Sequence, residues 1–230
     1  MKKILTISLA LILSCSITSI QAQDEMQYLF GGKDNDVSIS GFGGMMMEFS
    51  SFDKDFGFSM GGGAAMLINQ KFYVGAYGMG LTTQHPRSFT IYDDDLERNF
   101  NEDLYARFGH GGFWLGYVHN PKKSIHWGVN TTLGWGTVSL TDKTEKDYSN
   151  RWIAESYDNV FVITPQADLE MNLLKWMRVN VGVGYRIVTG VNKDYQQMTD
   201  NGLVEIAYFD SNALNSVTGN ITLAFGWFGN

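Results

Sequence analysis

Period-two alternation over residues 161–188 constrains the fold more than any other feature of this chain. In FVITPQADLEMNLLKWMRVNVGVGYRIV, Phe161, Ile163, Ala167, Leu169, Met171 and Leu173 hold odd positions. Thr164, Gln166, Asp168, Glu170 and Asn172 hold even ones. After Leu174, Lys175 and Trp176 the pattern resumes, with Met177, Val179, Val181, Val183, Tyr185 and Ile187 set against Arg178, Asn180, Gly182, Gly184 and Arg186. Successive side chains of a strand point to opposite faces, so the pattern means two strands. So short a connection makes them an antiparallel hairpin. One face is almost wholly apolar, while the other carries two acids and two arginines. The hairpin alone leaves open whether the apolar face meets a protein core or lipid.

Similar alternation recurs over residues 37–49, 56–68, 72–82, 104–119, 124–140 and 216–228, although Phe42 and Met46 blur the first of these. With the hairpin, that predicts eight strands, and no segment sustains a helical period. Pro165 near the start of the sixth strand lacks an amide donor and weakens the ladder there. The connections at 69–71, 120–123 and 174–176 are short, whereas 83–103, 141–158 and 189–212 are long and polar. An even number of antiparallel strands, with short turns at one end and long loops at the other, is the pattern of a membrane barrel. Strands of this length suit a tilted membrane crossing, which takes about nine to eleven residues. A sheet enters hydrocarbon only when closed, because an open edge leaves backbone groups unpaired. Eight strands close around side chains with little lumen. The expected fold is all-β, an eight-stranded antiparallel up-and-down transmembrane β-barrel over residues 37–230.

The N-terminus supplies a location. Lys2 and Lys3 precede an apolar run over residues 4–13, and small or polar residues follow as far as Ala22. These are the parts of a secretory signal peptide at 1–22, too short for a membrane anchor. Residues 23–36 then read as a flexible lead-in. Cys15 is the one cysteine, so no internal disulfide and no paired-cysteine metal site is expected. The stretch Ile12-Leu13-Ser14-Cys15 weakly resembles a lipoprotein processing box, in which Cys15 would carry the lipid. Of 17 basic residues, removing Lys2 and Lys3 leaves 15 against 24 acidic ones. That balance argues against nucleic acid as a partner.

Glu48, Arg107, Asp168, Glu170, Arg178 and Arg186 fall opposite the main apolar positions. In a narrow barrel they are expected inside, paired as buried charges must be, with glycines leaving room for them. Trp127 and Trp135 lie eight positions apart on one face, and Trp176 sits at a short turn. Tilted strands would set the first two about 20 Å apart along the barrel axis. With Trp227 they are expected at the membrane interfaces.

The chemical motifs are weak. His85, His110, His119 and His126 show no metal-ligand spacing, so neither a metal nor another cofactor is expected. Ser124 and His126 could share a strand face, and Glu170 could orient a histidine, but nothing in the spacing fixes a catalytic set. Asp93, Asp94 and Asp95 lack the alternation of a calcium loop and read as solvated.

The signal peptide, the eight long strands, the alternating loop lengths and the ending Phe225-Gly226-Trp227-Phe228 resemble small outer-membrane β-barrel proteins. Ser19-Ile20-Gln21-Ala22-Gln23 is similar to signals common in Bacteroidota. The resemblance implies secretory export to the outer membrane of a Gram-negative bacterium, contact with outer-membrane lipids, and handling by the barrel insertion machinery. Family barrels finish close to an aromatic residue recognised during insertion; here Phe228 is followed by Gly229 and Asn230. No catalytic motif carries over. Three readings are open: a structural or surface-interacting barrel that meets an extracellular ligand through loops 83–103, 141–158 and 189–212; an enzyme acting on outer-membrane lipid; and a soluble periplasmic barrel binding an apolar ligand.

Overall fold

In the computed structural model, residues 37–142 and 157–228 are described. The segments 1–22 and 23–36, and most of the 141–158 connection, lie outside them.

Eight strands form the staves of a closed barrel: β1 (Ile39–Phe52), β2 (Asp55–Ile68), β3 (Phe72–Leu81), β5 (Arg98–His119), β6 (Ile125–Asp142), β7 (Tyr157–Leu174), β8 (Met177–Thr189) and β11 (Ser216–Gly226). Each pairs antiparallel with the next around the ring, and β1 closes it on β11, from Phe42–Gly226 to Phe49–Gly219. No stave is left with an open edge, which satisfies the backbone without solvent. Type I′ geometry explains one of the two-residue turns: Asp53 and Lys54, between β1 and β2, both have positive φ. Asn69 and Gln70 share that left-handed backbone after β2. As its missing amide donor requires, Pro165 interrupts a ladder: the β7–β8 pairing passes from Ile163–Ile187 to Gln166–Gly184.

Two of the expected loops are not loops. The 83–103 connection is a hairpin, β4 (His85–Asp93) folding back on an extended β5 through the turn at 94–97. The 189–212 connection holds a separate two-stranded ribbon, β9 (Asp194–Thr199) and β10 (Gly202–Ala207). The two are tied together: Asn99 and Met198 exchange hydrogen bonds at 2.8 and 3.0 Å, and Phe89 packs edge-on against Tyr195 and Tyr208. Arg87 joins β4 to the β1–β2 turn through Asp53 at 2.9 Å and Asp55 at 3.0 Å.

The interior is filled. At the long-connection end Phe52, Phe108, Val138, Leu140, Val162 and Val188 pack with Phe209 and Leu214, which enter from the segment before β11. Towards the short turns a second apolar cluster gathers on one side of the barrel, where Phe42, Tyr73 and Trp114 meet edge to face. Phe42 and Met46 belong to it, which accounts for their break in the β1 alternation.

Candidate functional site

Polar side chains from β1, β6, β7 and β8 meet inside the barrel. Alternation turns the even positions of these strands inward. Glu48, Asp168, Glu170, Arg178 and Arg186 are therefore buried, each at 8% exposure or less.

Two ion pairs organise them. Arg186, fully buried, reaches Glu48 at 2.7 Å and Ser50 at 3.0 Å through Nη1. Its Nε donates to the Leu214 carbonyl at 2.9 Å and its Nη2 to the Ser51 carbonyl at 2.9 Å. Nearer the short turns, Arg178 donates through Nη1 to Glu170 at 2.9 Å and through Nε to Asn172 at 2.9 Å. His126, paired with Glu170 in the sheet register, sets its Nε2 3.2 Å from the same carboxylate. Asp168 accepts from Asn130, which itself accepts from Gln166. Gly128 and Gly182 make this packing possible, because a Cβ on either would overlap the Glu170 or Asp168 carboxylate.

Arg107 is a correction. It is exposed on the outer face, where Nε donates to Thr141 at 3.1 Å. At the long-connection end the inward face of β5 is apolar, with Leu104, Ala106 and Phe108 in the upper cluster. Polarity there runs opposite to the middle of the barrel, so a charged residue faces out.

The histidines stand apart from one another in role. His110 Nδ1 is 2.8 Å from the Tyr77 hydroxyl, His85 Nε2 is 2.9 Å from Thr83 Oγ1, and His119 stacks on Trp127. His126 also meets the Lys123 carbonyl at 2.9 Å, so both its ring nitrogens have neighbours, while Ser124 is exposed. The hydrogen-bonding capacity of His126 is thus turned to Glu170 and the backbone.

The outer wall is the reverse of the interior. Met45, Met60, Met66, Phe113, Val129, Leu169, Val181 and Val183 all point outward and are exposed. Trp127, Trp135, Trp176 and Trp227 are each about half exposed or more, between 49% and 66%. Trp127, Trp176 and Trp227 lie near the short-turn end, and Trp176 stacks on Phe225. Phe228 instead turns inward against Phe42 and the Arg178 guanidinium. Phe228 was not among the expected interior residues, although its even position, opposite Phe225 and Trp227, is the signal that could have found it.

No family model matches the chain, and no curated protein matches it. Among solved structures it is similar to the crystal structure of Neisserial surface protein A (NspA), at 12% identity and a TM-score of 0.48, over 85% of this chain and 100% of that one.

Proposed function

We propose that this chain is a non-enzymatic barrel of a Gram-negative outer membrane, exported through the secretory pathway, whose long-connection end meets a ligand outside the cell. The observation that carries this reading is the inverted polarity of the closed barrel. Large apolar side chains cover the wall, and charges occupy the centre. A soluble ligand-binding barrel would need the opposite, an apolar hollow inside a polar wall. Hydrocarbon around the wall removes the cost of so much exposed apolar surface, which otherwise marks an interaction site. Outer-membrane lipids are then the partners of the wall, and Trp127, Trp135, Trp176 and Trp227 lie at the two interfaces. The insertion machinery would meet the last strand, where Phe225 and Trp227 face out.

The interior charges fill and stiffen the barrel in this reading. Recognition falls to the tied hairpins of the long-connection end, where Asp94, Asp95, Glu97, Glu102 and Asp103 are exposed beside Leu96, Met198 and Leu203.

Membrane fractions washed with alkaline carbonate should retain the protein, and its migration on a gel should change on boiling. Full release as a soluble species would remove the reading. Cysteines placed at Asp94 and Lys122 should label unequally on intact cells, Asp94 being accessible; equal labelling would overturn the orientation.

A further inference from the structure

The short-turn end carries a cleft that the structural role leaves unused. Its volume is about 570 Å³, and Gln70, Lys122, Asn172, Lys175, Arg178 and Phe228 are among the residues that line it. Leu173 and Leu174, both about half exposed, complete its outer edge. The β-bulge at Asn172–Leu174 turns these two leucines to the rim.

The exposed charge of the turns has one sign, and the one carboxylate beside Arg178, that of Glu170, is buried. Lys71, Lys122, Lys123 and Lys175 are exposed in the short turns, and the residues of the turns at 69–71, 120–124 and 175–176 include no acid. Arg178 lies deeper, its side chain only 4% exposed. Glu170 and Asn172 hold two of its nitrogens, but Nη2 is buried without a hydrogen-bond partner, beneath the ring of Phe228. A buried donor left unmade costs about 1–3 kcal/mol, so such a group marks a place where a partner belongs. Guanidinium and ammonium groups together suit phosphate oxygens, the first by its planar fork and the second as a point charge.

We propose that this cleft binds a phosphate-bearing anion, with Lys122 and Lys175 as its outer cations and Arg178 as the inner one. The same chemistry is offered by free phosphate and by the headgroup of an anionic phospholipid. The flanking Leu173, Leu174 and Trp176 favour the headgroup, since they give acyl chains an apolar path beside the cations. That choice of source rests on the outer-membrane reading; the phosphate site itself does not.

The test uses the refolded full chain in neutral detergent micelles, with native mass spectrometry and calorimetry as readouts. The probes are short-chain phosphatidylglycerol, short-chain phosphatidylcholine and inorganic phosphate. Phosphatidylglycerol should bind at least tenfold more tightly than phosphatidylcholine. The double variant K122Q/K175Q, altered only at exposed turn positions, should lose that preference while keeping its heat-modifiable migration. R178K should weaken binding less than R178Q, because a cation remains. Tight binding of inorganic phosphate with no gain from the lipid would assign the site to the free anion. Equal binding of the two lipids with no binding of phosphate, or unchanged preference in the double variant, would overturn the proposal. Release of the chain by carbonate would sink only the membrane reading, and the phosphate titration would still decide the cleft.

Discussion

Arg178 and Arg186 stand on the same strand and the same inward face, yet their surroundings differ. Arg186 is enclosed beneath the cluster of the long-connection end, with every guanidinium nitrogen bonded, to Glu48, Ser50, Ser51 and Leu214. Arg178 is one residue from the start of β8 and leaves Nη2 without a partner. A charge sealed off from solvent must be satisfied by the protein itself, because nothing else reaches it. Arg178 lies beside a mouth, and its one donor without a hydrogen-bond partner is the one the proposed anion would take. Two arginines with one reading in the sequence thus divide into a structural group and a candidate binding group.

The sharpest way to break this contrast is Arg186→Met. It leaves Glu48 buried and uncompensated, and should cost about 3–5 kcal/mol in urea unfolding from micelles. Removing the carboxylate as well, in E48Q/R186M, should recover much of that loss; equal losses for single and double variants would show that the pair is not the unit. Next in size is an arginine placed between the two but on the other face. Val183 points outward at 65% exposure, and V183R should cost about 2–4 kcal/mol in a bilayer if it sits at the midplane. An effect near zero would remove hydrocarbon from around that wall. Arg178→Met should cost about 1–3 kcal/mol, less than its counterpart, because Glu170 keeps His126 beside it. A loss as large as that of Arg186→Met would erase the distinction.

The smallest expected effect lies beyond the staves, on β4. Burial holds the His85 imidazole below its ordinary value of 6.5, and Arg87 lowers it further while Asp55 and Asp53 pull the other way. The unfolded chain therefore takes up the proton first. His85 costs nothing above pH 6.5 and destabilises the fold progressively as the pH falls below it. Unfolding midpoints taken from pH 7.5 to 5 should fall faster in the native chain than in H85Q; parallel curves would count against the burial of this group.

Much of this was legible because a barrel wall has two faces of opposite character, and period two exposes them directly. Glu170 and Arg178 fall on one face of β7 and β8 whatever the neighbours. Arg107 departs from the expectation for a physical reason: period two alone makes the polar face inward along the whole strand. That rule fails at the long-connection end, where Phe209 and Leu214 fill the mouth and demand apolar partners from β5. The β4 strand escaped notice because Arg87, Ser88, Thr90, Tyr92 and Asp93 give little apolar alternation, and pairing with β5 holds it in place.

The staves, their short turns and the inward set of acids and arginines on β7 and β8 were all written in the order of the residues. Those follow from local geometry, since side-chain direction alternates with each residue. Which charges pair depended on the closed ring. Glu48 and Arg186 are 138 positions apart in the chain, and β11, standing between β1 and β8, brings them together. The ring also decided that Phe228 meets the Arg178 guanidinium, and that Arg178 Nη2 is left without a hydrogen-bond partner. Such facts depend on closure of the ring and on which side chains reach across it, and no stretch of sequence contains them.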